Sequence, residues 1–209
     1  YPCAELASNY QQYKTQHNLD FLLQDMPELI TESLEGTGRV MSIVKSLREF
    51  SHVDSTEWKE TSLIDGMEST LRIINNELKY KATIHKDYQE QMPLVYCQSM
   101  QINQVFMNLL LNAAQAMEQP GDIYIRINTA GDFARISIRD TGSGIAPQHM
   151  TKVFEPFFTT KPVGAGTGLG LSLSYSIIQK HQGKLSVNSQ PGQGAEFVIA
   201  LPLLPVPTE

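Results

Sequence analysis

Two asparagines on one stretch are the first residues whose types and spacing suggest chemistry. They stand in Gln104-Val-Phe-Met-Asn108-Leu-Leu-Leu-Asn112-Ala-Ala-Gln-Ala-Met117. At a spacing of four, both side chains lie on one helical face, one turn from each other. The residues between them are apolar, where a neutral amide is costly unless it finds a partner. Asn112 can offer its carbonyl oxygen to Mg²⁺, a hard cation that takes few protein ligands. Capping of a nearby strand or loop explains the pair as well.

A second set is Arg139-Asp140-Thr141-Gly142-Ser143-Gly144-Ile145. Asp140 can accept a hydrogen bond from an exocyclic amine, which would read adenine. Gly142 and Gly144 permit a sharp turn and a close approach to a flat base. An Asp-stabilised turn is the competing reading. A third set runs from Phe154-Glu-Pro-Phe-Phe158-Thr-Thr-Lys161 into Gly164-Ala-Gly166-Thr-Gly168-Leu-Gly170-Leu171. Its aromatics suit the hinge of a lid, and Lys161 suits a phosphate. The glycines bare their N–H groups where a helix begins, a place that favours an anion. Gly166 to Gly170 is only half of a dinucleotide fingerprint. No strand immediately precedes it and the downstream acid is absent, so a Rossmann reading is rejected. The order of all four features outweighs any one of them: twin asparagines, Asp-x-Gly-x-Gly, aromatic lid, Gly-x-Gly-x-Gly.

These residues need elements to hold them. The pattern predicts helices at Leu63–Leu78, Ser99–Met117 and Leu171–His181, the second closed by Pro120-Gly121. It predicts strands at Ala82–Tyr88, Ile123–Asn128, Phe133–Arg139, Lys184–Ser189 and Ala195–Leu201, with a short extended piece at Leu94–Tyr96. Thr129-Ala-Gly-Asp132 and Pro191-Gly-Gln-Gly194 join neighbouring strands as hairpins. Hairpins with helices grouped between them indicate an α+β fold. Its form is a two-layer sandwich of a mixed, mostly antiparallel sheet with helices on one face.

Upstream, Leu22, Met26, Leu29, Ser33, Gly36, Val40, Ile43, Leu47 and Phe50 recur at steps of four and three, widened by Ile30 and Val44. That is a heptad seam, which needs a partner helix and points to a dimeric bundle. Pro27 marks a kink or a first helical turn. Residues 1–17 are polar and give weak structural signals. The expected boundaries are 1–52 for the helical region, 53–59 for a linker, 60–203 for the main domain and 204–209 for a tail.

The chain has 209 residues and a net charge of −6, which argues against a nucleic-acid footprint. Hydrophobic residues at 41% and charged residues at 18% are ordinary for a globular protein. No apolar run approaches the ~18–20 residues that span a bilayer. Cys3 and Cys97 lack metal or redox spacing and read as free thiols of a reducing, cytoplasmic compartment. Tyr1 begins in mid-pattern, so the chain reads as a fragment whose parent could be anchored in the inner membrane.

The four motifs resemble the ATP boxes of the superfamily that unites gyrase-type ATPases, ninety-kilodalton heat-shock chaperones, mismatch-repair ATPases and histidine kinases. The resemblance covers residues 60–202. Within it the chain is similar to sensor histidine kinases of the nitrogen-regulation-sensor-like branch, through Asn112-Ala-Ala-Gln-Ala116. It implies ATP and Mg²⁺ as cofactors and a Bergerat-type ATP fold. Asn112 would be the metal ligand, and Asp140 would hold the adenine amine. Asn108, Gly142, Gly144, Ile145, Phe154, Lys161, Gly166, Thr167, Gly168, Leu169 and Gly170 would complete the nucleotide contacts. Hydrolysing members carry a glutamate where this chain has Asn108. An amide cannot serve as a base towards water, so the site suits phosphoryl transfer. Many histidine kinases carry Lys where this chain has Gln115; Mg²⁺ and Lys161 would then neutralise the phosphates.

None of His17, His52, His85, His149 and His181 has the sequence context of an acceptor histidine. The acceptor is expected upstream of Tyr1, with residues 19–52 resembling the second helix of the dimerisation and phosphotransfer hairpin and residues 1–17 the tail of its first helix with the connecting loop. His52 and His181 sit where a cation would suit a helix C-terminus. The implied partner is the receiver domain of a response regulator. An anti-sigma-type serine kinase and a non-catalytic nucleotide-binding module are the competing functions; the heptad helix speaks against the first.

Overall fold

The computed structural model describes residues 2–16, 18–51, 57–161 and 166–203. His17, His52, Gly164 and the tail from 204 lie outside them, as do the side chains of Leu22, Val40, Ile43, Val44, Leu47 and Phe50. Two compact units are present, Tyr1–Lys45 and Ser46–Glu209.

The first unit is helical. Helix α1 spans Pro2–Gln16 and α2 spans Leu19–Ser51. A helix over Pro2–Gln16 agrees with the first-helix tail that the resemblance implies; its periodicity is weak because a polar helix carries little apolar patterning. Pro27 lies inside α2 and is not its first turn. Met26, Leu29, Ile30 and Leu34 are exposed along α2.

The first strand of the second unit starts at the last residue of the expected linker. Strand β1, Lys59–Thr61, pairs antiparallel with β3, Val95–Cys97. Three-residue strands leave almost no periodicity, which is why neither was legible as a pair. The expected helix at 63–78 is two helices, α3 at Leu63–Ile73 and α4 at Asn75–Leu78. Ser62 caps α3 by accepting the Asp65 N–H at 3.2 Å. The break follows from Asn75-Asn76, whose side chains compete with helical bonding.

A five-stranded sheet carries the rest, in the order β2-β4-β5-β7-β6. The strands are β2 Ala82–Tyr88, β4 Gly121–Ala130, β5 Phe133–Asp140, β6 Lys184–Ser189 and β7 Ala195–Pro202. Only β2–β4 is parallel. One face stacks Ile123, Ile125 and Ile127 beside Ile138, Ile136, Phe197 and Ile199, all buried. The opposite face presents Tyr124, Arg126, Arg135 and Arg139, all exposed. Helix α5, Ser99–Gln115, packs on the buried face beside β5, flanked by α3 and by α6, Gly170–Lys180. Its Val105, Phe106, Leu109 and Leu110 are fully buried. Each such side chain contributes about 1.5–3 kcal/mol.

Candidate functional site

The alternation that buries Ile136 and Ile138 also turns Asp140 toward the helix layer, at the last residue of β5. Asp140 is only 3% exposed. Its Oδ1 accepts the N–H of Gly142 at 2.8 Å and of Ala195 at 3.3 Å. Burial pushes the carboxyl above the usual range, and those two bonds partly offset the shift.

The glycines beside it are required by the protein's own packing. A Cβ on Gly142 would lie 2.7 Å from the Ala116 carbonyl oxygen, just past α5. One on Gly144, at φ +70°, would lie 2.1 Å from the Gln190 carbonyl oxygen. The Ser143 N–H donates to Ala116 O at 3.0 Å, and the Gly192 N–H donates to Ser143 O at 2.7 Å. The loop after β5 is therefore clamped between the end of α5 and the β6–β7 turn. Ile145 is held there by its N–H, which donates to Ser189 Oγ at 2.8 Å. Gly194 belongs to this wall as well. At φ +77°, its Cβ would fall 1.9 Å from the Asp140 carbonyl oxygen. From sequence it reads only as a hairpin residue, although its Gly-x-Gly spacing with Gly192 was the available signal.

Asn108 and Asn112 share one face of α5, and each is partly exposed. The Asn108 amide donates to Gly170 O at 3.2 Å and to Ser174 Oγ at 3.4 Å. It therefore ties α5 to the first turn of α6. The Asn112 side chain has no hydrogen-bond partner among the described residues. Among these residues, no cluster of three His, Cys, Asp or Glu could hold a metal ion.

The segment expected to form a lid follows a short 3-10 turn at Pro147–His149. Phe154 is partly buried, its ring 5.4 Å from that of Tyr175 on α6. Phe157 is left-handed, φ 66°, and 63% exposed. Its N–H donates to Gly168 O at 3.0 Å, and Gly168, φ +67°, leaves no room for a Cβ against the Phe157 backbone. Gly166 packs close to Thr159 Oγ1 and Lys161. The Leu169 N–H donates to Thr167 Oγ1 at 3.4 Å. Helix α6 then begins at Gly170, and no side chain caps its N-terminus. The Lys161 amine reaches back and donates to Gln115 Oε1. Burial, and then the Lys81 charge, hold this amine below the ordinary lysine range.

His181 corrects an expectation. It is a neutral core residue rather than a helix-end cation. Its Nε2 accepts the Gln98 N–H at 3.0 Å, so its Nδ1 carries the proton and donates to Ile177 O at 2.7 Å. Its ring packs 4.6 Å from that of Trp58. Burial holds its pKa down.

The fold and the arrangement of these loops define a nucleotide-binding class of α+β domain. The family of histidine kinase-, DNA gyrase B-, and HSP90-like ATPases matches residues 97–205, and the chain belongs to that family. The signal transduction histidine-protein kinase AtoS of Escherichia coli K12 is 33% identical over 198 residues, 94% of this chain and 32% of that protein. The catalytic domain of histidine kinase ThkA is 29% identical, with a TM-score of 0.65 over 71% of this chain and 97% of that one. ThkA in complex with response regulator protein TrrA gives 27% identity and a TM-score of 0.68, over 88% and 52% of the two chains. The chain spans about a quarter to a third of the length of the curated relatives it matches. No helix among the described residues is long and apolar enough to cross a membrane.

Proposed function

We propose that this chain is the catalytic core of a sensor histidine kinase, which binds Mg²⁺-ATP and transfers its γ-phosphoryl group to a histidine for relay to a response-regulator aspartate. The observation that carries the reading is the Asn108 amide. It stands where hydrolysing relatives hold a glutamate base, and its nitrogen is already committed to Gly170 O and Ser174 Oγ. A donor anchored in this way holds a helix in place and takes no proton from water.

In this reading the adenine amine donates to the buried Asp140 carboxylate. Its acceptor strength depends on staying ionised while Gly142 and Ala195 hold its orientation. The uncapped N-terminus of α6 and the loop from Gly166 to Leu169 face the phosphates with backbone N–H groups. Lys161 adds positive charge, and Phe154 anchors the lid on α6. The donor set suits Mg²⁺, because Asn112 offers one amide oxygen and, among the described residues, no cluster of acids surrounds it. The Asn112 oxygen would hold Mg²⁺, which when bound would supply neutralisation of phosphate charge.

The three described histidines are poor acceptors. Both His181 nitrogens are engaged. His85 pairs with Asp122 at 2.7 Å and stacks on Tyr124. His149 lies against Phe158. We therefore place the acceptor on a phosphotransfer hairpin of which residues 1–52 form a part. The domain from 60 to 203 holds the donor site, and 53–59 links the two. The exposed apolar residues of α2 favour a homodimer through that helix, and the relative bound to a response regulator favours such a partner. Incubation of the chain with γ-labelled ATP, Mg²⁺ and a separately produced hairpin should yield acid-labile phosphate on the hairpin, with little free phosphate. Rapid release of free phosphate without transfer would overturn the reading.

A further inference from the structure

Asn108, Asn112 and Gln115 follow one another along one face of α5, at steps of four and three, so each lies one turn from the next. The outer two are both bonded across to the loop that carries Lys161 and the glycines. The Asn108 amide donates to Gly170 O, where the glycine loop ends. Gln115 Oε1 accepts a hydrogen bond from the Lys161 amine, where the Phe154–Lys161 segment ends. Residues 161 and 170 are thus tied to the same helical face, at points about 10 Å apart along the axis. Asn112 lies between the two ties.

Lys161 is held along its whole length. Its backbone N–H donates to Thr159 Oγ1 at 3.1 Å. A Cβ on Gly166 would lie 3.2 Å from Lys161 Cδ and 3.6 Å from its Cβ, so the bare glycine backbone covers the stem. Helix α5 has no basic residue in its last turn, and its C-terminal end favours a cation. Lys161 supplies that cation from outside the helix. Among the described residues, no carboxylate lies within ion-pair reach of Lys161. Gln115 is suited to hold such an amine. Its oxygen fixes the direction of the amine and leaves the charge available to an anion, whereas a carboxylate would cancel it and a second amine would repel it. The amine has three donors, so one bond to Gln115 leaves two for phosphate oxygens.

We infer that Gln115 is a positioning residue of this site, which aims the Lys161 amine at the polyphosphate tail of a nucleoside triphosphate, one turn from Asn112. The inference rests on the nucleotide reading above. It gives a task to a residue that is not itself a nucleotide contact, and it pairs Gln115 with Asn108 as the two anchors on either side of Asn112.

The test is a double-mutant cycle of Gln115→Met and Lys161→Met in the full chain, titrated by calorimetry with adenosine and Mg²⁺-ATP. Gln115 is exposed, and Met keeps its length and its helix preference, so the variant should fold as the unsubstituted chain does. Gln115→Met should weaken ATP binding about threefold to tenfold and leave adenosine affinity unchanged. In the Lys161→Met background the same substitution should cost nothing further, because Gln115 acts through Lys161. Unchanged ATP affinity in Gln115→Met would overturn the inference. So would an equal loss in both backgrounds, which would give Gln115 a role independent of Lys161, or an equal loss for adenosine and ATP, which would assign it to the fold. If Lys161→Met leaves ATP affinity unchanged, the inference falls while the nucleotide reading stands. If the unsubstituted chain binds no nucleotide, the nucleotide reading fails first and the inference with it.

Discussion

The side-chain amide of Asn108 donates to the carbonyl oxygen of Gly170, 3.2 Å away and 62 residues on in sequence. One bond thus joins the central helix to the residue that ends the glycine loop and begins α6. Its loss frees the first turn of α6 to move away from Asn112.

Asn108→Ala should therefore lower stability by about 0.5–1.5 kcal/mol, read as a shifted urea midpoint. ATP affinity should fall with it, because the loop is no longer tied to α5. Phosphate release should not rise, since no base is created. An unchanged urea midpoint would show that the bond contributes nothing.

Asp140 predicts a pH dependence of binding. Burial raises its folded pKa, so a proton is taken up at a higher pH in the folded chain than in the unfolded one. The neutral acid is a poorer acceptor, so ATP affinity should fall as pH drops through that raised pKa. The sign for stability is the reverse. The folded state binds the extra proton, so the cost of burying the charge is relieved as pH falls through the same window. Asp140→Asn should weaken ATP binding and flatten its pH profile between acid and neutral pH. A profile unchanged by the substitution would remove Asp140 from the site.

His181 gives the opposite stability slope. Its folded pKa lies below the unfolded value of 6.5, so its stabilising contribution is complete above that value and is lost as pH falls below it. Protonation would place a hydrogen on the Nε2 that accepts the Gln98 N–H. Thermal scans from pH 7.5 to about 5 should show this slope, and His181→Gln should reduce it. An equal slope in both proteins would assign it to other groups.

Gly192 and Gly194 isolate packing from conformation. Both are left-handed in one turn, at φ +75° and +77°, but only Gly194 has its Cβ position filled, by the Asp140 backbone. Gly192→Ala should cost about 1 kcal/mol for the backbone alone. Gly194→Ala should cost several times more and should weaken ATP binding, because Asp140 must shift. Equal melting temperatures for the two variants would contradict the close approach.

Much of the fold was legible because its information is local. Alternation marked β4, β5 and β7 to within two residues, and the run of apolar residues around Asn108 marked α5. The break at Ile74 and the strands β1 and β3 were less legible, because short elements draw their stability from neighbours distant in sequence. The candidate site divides in the same way. Asn112, Asp140 and the glycine loop are recognisable from residue type and spacing. The reason for Gly142 and Gly144 was not recognisable, because the backbones they must clear belong to Ala116 and Gln190.

The sequence by itself determined the family, the order of the motifs and the presence of an amide at position 108. Those features reside in residue identity, which folding does not alter. Only the tertiary structure decided that His181 is neutral, that Gly194 supports Asp140, and that the Lys161 amine reaches Gln115. Each of these depends on the distance and dielectric between groups far apart in the chain, and the sheet order and the packing of α5 and α6 set both.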